Sequence, residues 1–96
     1  MGKQAIINII EASKPELAER YGVKQVGLFG SFIRGQENPS SDIDILVSFS
    51  RDIDLFEFID LRDYLESKLR AKVDLVMASA LKPAIGRRIL KEVQYV

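Results

Sequence analysis

Two hydrophobic periods alternate along the chain, and each change of period marks an element. Ile6, Ile7, Ile9 and Ile10 cluster at helical spacing and predict a first helix over residues 3–12. Ser13 is followed three residues later by Glu16, a capping-box pattern, and Pro15 fits a first turn. A second short helix is therefore expected up to Tyr21, closed by Gly22 as a left-handed cap. Val23, Val26, Leu28 and Phe29 predict a strand that ends at Gly30, and Phe32–Gly35 predicts a single helical turn. Residues 36–41, Gln-Glu-Asn-Pro-Ser-Ser, have loop composition.

Asp42–Phe49 alternates, with Ile43, Ile45 and Val47 on one face, and predicts a second strand. Leu55, Phe58, Ile59, Leu61, Leu65 and Leu69 form one stripe and predict a helix over Asp54–Arg70. Arg62 falls inside that stripe and is expected to snorkel from its edge; Phe56 and Tyr64 lie off it. Lys72–Met77 predicts a third strand with Val73, Leu75 and Met77 on one face. A last helix is expected over Ala80–Lys91 and a short extra strand over Val93–Val96. This order implies a two-layer α+β domain spanning residues 1–96, a small mixed β-sheet with helices packed on one side.

Composition sharpens the picture. A chain of 96 residues, 47% apolar and 29% charged, is one globular domain. Folding buries roughly 65% of its surface, enough for one modest core. That core is too small to enclose a large nucleotide and a second macromolecule together. Lys and Arg total 14 and Asp and Glu total 14, which argues against direct binding of nucleic acid by surplus positive charge. There is no Cys and no His, so thiolate chemistry, imidazole bases and the usual zinc ligands are excluded. No apolar run approaches the roughly 18 residues of a membrane span. The first residues lack a signal-peptide pattern, and Ile6 stands where myristoylation requires Ser or Thr, so a cytoplasmic location is expected.

The neutral total hides a division. Glu37–Asp60 holds seven acids against one base, a net of −6; Arg62–Glu92 holds eight bases against four acids, a net of +4. Solvated helix faces account for many such charges. The alternative is an acidic cation site beside a basic surface, with Arg87, Arg88 and Lys91 as a docking face.

Asp42 and Asp44 project from one face of their strand while Ile43 and Ile45 point to the core. Two carboxylates one pleat apart repel unless a cation lies between them, and Mg²⁺ favours such oxygen ligands. Asp74 sits in an apolar strand, where a carboxylate is costly unless paired or metal-bound. A salt bridge to Lys72 or Arg70 would satisfy it. If its strand lies beside that of Asp42 and Asp44, three acids meet on one patch. Gly30 lets the backbone approach a ligand closely. Ser31 and Arg34 can then contact a phosphate at the turn. The Gly-Lys-Ser/Thr ending of a Walker loop and the dinucleotide fingerprint are both missing.

Taken together, Leu28-Phe29-Gly30-Ser31-Phe32-Ile33-Arg34-Gly35, Ser41-Asp42-Ile43-Asp44 and Val73-Asp74-Leu75-Val76 resemble the minimal nucleotidyltransferase (MNT) family of the DNA polymerase β superfamily. The resemblance covers Tyr21–Val76. Ile33 departs from it, since the family usually has a small residue there. The resemblance implies a polymerase-β-like nucleotidyltransferase core. It implies Gly30 and Ser31, with Arg34, as nucleotide-binding residues. Asp42, Asp44 and Asp74 would be catalytic residues and ligands of two Mg²⁺ ions, Asp74 also helping to deprotonate the acceptor. It further implies AMP transfer from ATP to a hydroxyl, a tyrosine of a HEPN-domain toxin, making the protein an antitoxin.

Two other readings remain open at this stage. One is a binding-only antitoxin that blocks its partner sterically around a vestigial metal site. The other is transfer to a small-molecule hydroxyl, disfavoured because no added helical domain is present. The apolar C-terminus, with Val93, Tyr95 and Val96, leaves room for a homo-oligomer or a partner contact.

Overall fold

The first element departs from expectation. In the computed structural model, which describes residues 1–96, α1 is one unbroken helix, Lys3–Tyr21, with Pro15 inside it. Ser13 caps nothing. Its hydroxyl donates to the Ile9 carbonyl oxygen one turn back, at 2.9 Å, a bond that competes with capping. Pro15 removes a backbone donor at a cost of about 3 kcal/mol. Ile6, Ile7, Ile10, Leu17 and Tyr21 are all buried along the same helix. At roughly 1.5–3 kcal/mol for each large apolar side chain, that face outweighs the proline. Gly22 ends α1 at φ 70°, as its position after Tyr21 predicts.

The remaining elements follow in the expected order. They are β1 (Val23–Phe29), α2 (Ser31–Arg34), β2 (Ile43–Phe49), α3 (Leu55–Leu69), β3 (Val73–Met77), α4 (Pro83–Glu92) and β4 (Gln94–Tyr95). A 3₁₀ turn, Ala78–Ala80, takes up what looked like the start of the last helix; α4 begins at Pro83, a residue suited to a first turn. Asp54 caps α3 in a reciprocal box: its carboxylate accepts from the Glu57 N–H at 2.8 Å, and Glu57 accepts from the Asp54 N–H at 3.3 Å.

The sheet order is β3-β2-β1-β4. β2 and β3 run parallel, joined through α3, and the other pairs are antiparallel. Alternation sends Val26, Leu28, Ile43, Ile45, Val47, Val73 and Leu75 to one face, where α1 and α3 cover them in the main core. Only part of the α3 stripe joins this core. Leu61, Leu65 and Leu69 are buried, whereas Leu55 is 68% exposed and Ile59 is also exposed. The first turn of α3 instead borders an open apolar groove shared with Leu75 and Met77. Met77 is only half-buried. Arg62 is exposed and pairs with Asp63 at 3.2 Å. Tyr64, off the stripe, is half-buried against Tyr21, with ring centroids 5.8 Å apart.

Helices do not pack on one side alone. On the opposite face Phe29 and Leu46 are buried under Ile89 of α4, flanked by Val76, Leu81 and Val93. β4 adds to β1 at that edge, where Val93 and Val96 are half-buried and Tyr95 is exposed. The two-layer α+β architecture stands, with α4 as a partial cover over the second face. No helix is long and apolar enough to cross a membrane.

Candidate active site

That second face carries the acids. The same alternation that buries Ile43 and Ile45 turns Asp44 the other way, and the parallel register places Asp44 opposite Asp74. Their carboxyl groups are within hydrogen-bonding reach. Burial, the nearby Asp74 and the charge of Asp42 push Asp44 up to about 6, against an ordinary 3.8; Arg34 opposes the shift. Asp42 is exposed at the mouth of β2. It faces a depression of about 400 Å³ lined by Ser40, Ser41, Arg70 and Lys72. Asp74 forms no salt bridge with either base; the chain's four ion pairs all involve other acids.

The turn after β1 meets these acids directly. Gly30 adopts φ 80°, and a Cβ there would collide with the Asp44 carboxylate. Only glycine satisfies both conditions, which explains why this residue separates β1 from α2. Ser31 opens α2, and the Gly30 carbonyl oxygen accepts from the N–H groups of Ile33 and Arg34 at 3.0 and 3.1 Å. Gly35 closes the turn at φ 69°. The phosphate turn expected from the sequence and the acid pair are thus in contact.

Ile85 and Glu92, which sequence reasoning did not assign, and Arg88, expected on a docking face, complete the cleft. Ile85, Arg88 and Glu92 of α4 line a cavity of about 170 Å³ with Gly30, Arg34 and Asp44. The Gly30 N–H donates to Glu92 Oε2 at 2.6 Å, and Arg34 Nη1 donates to both Glu92 oxygens at 3.0 and 3.1 Å. One signal was available: Glu92 is an acid at the C-terminus of a helix, where the helix dipole disfavours it.

The donor set suits a hard divalent cation. All three side chains are carboxylates, and Asp44, raised by burial and by the neighbouring charge of Asp74, carries a repulsion that such an ion relieves. As they stand, the acids are not gathered three at a time at ion-binding spacing, because Asp42 remains out at the rim.

A glycine turn pressed against paired carboxylates on a small mixed sheet is the arrangement that the sequence resemblance leads one to expect. Residues 10–96 match the nucleotidyltransferase domain family. The chain is 48% identical to the protein adenylyltransferase MntA of Thermococcus cleftensis over 93 residues, 97% of this chain and 94% of that one. It superposes with a TM-score of 0.83 on a solved structure assigned as a minimal nucleotidyltransferase, at 32% identity, covering 98% of this chain and 95% of that one. A toxin–antitoxin structure solved with AMP-PNP aligns at a TM-score of 0.73 and 25% identity, covering 88% and 70%. The chain belongs to the minimal nucleotidyltransferase family and is an enzyme of that class.

Proposed function

We propose that this protein transfers AMP from ATP to a tyrosine hydroxyl of a HEPN-domain toxin, and so acts as its antitoxin. The observation that carries this reading is the contact between the Gly30 turn and the Asp44–Asp74 pair. It sets a phosphate-binding backbone beside the carboxylates that phosphoryl-transfer chemistry needs. The protein adenylyltransferase of Thermococcus cleftensis supports the reaction class, and the AMP-PNP-bound toxin–antitoxin relative supports the nucleotide and the kind of partner.

In this reading the Gly30 N–H, Ser31 and Arg34 hold the triphosphate and present its α-phosphorus to the acceptor. Asp42, Asp44 and Asp74 would hold two Mg²⁺ ions, which neutralise phosphate charge and favour the attacking oxygen when bound. Asp74 is exposed at the edge of the pair and takes the proton from the acceptor hydroxyl. The hydroxyl oxygen forms the new bond to the α-phosphorus, and the bond to the β,γ-pyrophosphate breaks. In this reading the partner presents the acceptor hydroxyl to the open side of the cleft.

The test is transfer of label from α-labelled ATP to a HEPN-domain partner, comparing wild type with Asp42→Asn. Label on a partner tyrosine that the variant fails to deposit, while still binding the partner, supports catalysis. Equal neutralisation by wild type and variant, without label, would establish steric blocking instead.

A further inference from the structure

We infer that the Glu92 carboxylate occupies the seat of a nucleotide phosphate in the free protein and is the group that the phosphate displaces. The inference rests on the nucleotide reading above and adds a residue that reading does not contain. Glu92 makes the contacts expected of a phosphate oxygen pair. It accepts the Gly30 N–H at 2.6 Å and bridges Arg34 Nη1 with both oxygens. These are charge-assisted hydrogen bonds to the two donors that a triphosphate needs.

Its position in the chain argues against a purely structural role. Glu92 ends α4, where the helix dipole disfavours an acid. Packing of α4 on the sheet is already provided by Ile89 against Phe29 and Leu46. The carboxylate instead reaches across to a turn 62 residues earlier in the chain. There it holds the Arg34 Nη1 side of the guanidinium towards the cleft, while Arg34 Nε donates to Gln36 Oε1 at 3.1 Å.

The size of the cleft agrees. At about 170 Å³ it falls below the roughly 300 Å³ at which ligand sites begin. Glu92 forms one wall. Withdrawing that side chain opens the cleft and frees the Gly30 N–H and Arg34 together. Arg88, one turn earlier on α4, also lines the cleft and remains to meet the incoming charge. Glu92 is therefore a positioning residue. It holds the anion seat formed and sets a threshold that weak anions do not pass.

The experiment uses the full-length protein with inorganic triphosphate and ATP as probes, in EDTA and again with Mg²⁺. Calorimetry compares wild type, Glu92→Gln and Glu37→Gln, the last being the same charge change in an exposed loop. Glutamine keeps an acceptor for the Gly30 N–H but loses the charge that competes with phosphate. Glu92→Gln should bind triphosphate about tenfold more tightly, and Glu37→Gln should match wild type. Equal or weaker binding by Glu92→Gln overturns the inference. A second reading needs no variant: in wild type, saturating triphosphate should shift both the Gly30 amide and the Glu92 side-chain carboxyl NMR resonances. A Glu92 resonance that stays fixed while wild type binds overturns the exchange alone. No binding of either probe by any of the proteins overturns the nucleotide reading and the exchange with it.

Discussion

Asp44 and Asp74 are register partners on adjacent parallel strands, with their carboxyl groups in hydrogen-bonding reach on the face away from the main core. The arrangement works against stability. Asp44 titrates at about 6 in the fold against 3.8 ordinarily, so the folded state holds the proton more tightly than the unfolded chain. Below about pH 4 both states are protonated and nothing is lost. As the pH rises from 4 through 6, ionisation increasingly favours unfolding, and above 6 the full penalty applies. Asp44→Asn should therefore stabilise the metal-free protein at pH 8 by about 1 kcal/mol after allowance for solvent screening, raising Tm by about 4–8 °C. The gain should shrink towards pH 4, while nucleotidyl transfer is lost. A thermal melt series across pH checks both. A Tm gain that does not change with pH would assign the effect to packing rather than charge.

Cation binding should reverse that penalty. Mg²⁺ competes with the proton on Asp44, so it should raise the wild-type Tm at pH 8 and do progressively less as the pH falls below about 6. At a hundred times its dissociation constant an ion adds about 2.7 kcal/mol. The double variant Asp44→Asn/Asp74→Asn should show no Mg²⁺-dependent shift. If the shift survives in that variant, the ion binds elsewhere and the assignment of these acids fails.

Gly30 and Gly35 require glycine to different degrees: Gly35 is left-handed (φ 69°, ψ 27°), whereas Gly30 (φ 80°, ψ −149°) lies in a region reserved for glycine and also meets Asp44. Both have φ near +70 to +80°, but a Cβ on Gly35 meets nothing within 4 Å, whereas one on Gly30 strikes the Asp44 carboxylate. Gly35→Ala should cost about 1 kcal/mol, the left-handed penalty alone, and leave nucleotide binding close to wild type. Gly30→Ala should cost more, about 2–4 kcal/mol, and abolish nucleotide binding by pushing Asp44 aside. Denaturant unfolding and calorimetry give the two readings. Equal costs for the two substitutions would contradict the close approach.

Most of the sheet and the position of its acids were legible in the sequence, because strand alternation has a fixed period of two and the glycine turn lies at the end of β1. Asp44, Arg34 and the Gly30 turn could be placed from local pattern alone, whereas Asp42, expected on the strand, lies just before β2 begins at Ile43. Two things were not legible. The break expected at Ser13–Pro15 rested on local capping chemistry, and the buried apolar face of a 19-residue helix overrode it. The partners of Glu92 could not be read from the sequence: its place at a helix C-terminus was the one signal, Gly30 and Arg34 lie some sixty residues away, and the packing of Ile89 on Phe29 and Leu46 brings them together.

The α3 stripe shows the same limit and yields a final prediction. Periodicity treats Leu55 and Leu65 alike, since both lie on one helical face. Leu65 is 1% exposed within the main core, while Leu55 is 68% exposed at the lip of the groove beside Leu75 and Met77. Leu65→Ala should remove its transfer energy and leave a cavity, costing about 2–5 kcal/mol. Leu55→Ala should change stability by no more than about 0.5 kcal/mol, because alanine is the better helix former and little contact is lost. Urea unfolding of the two variants measures the difference. A cost above about 2 kcal/mol for Leu55→Ala would mean that the groove is filled in solution, most simply by a second chain, and its stability would then depend on protein concentration.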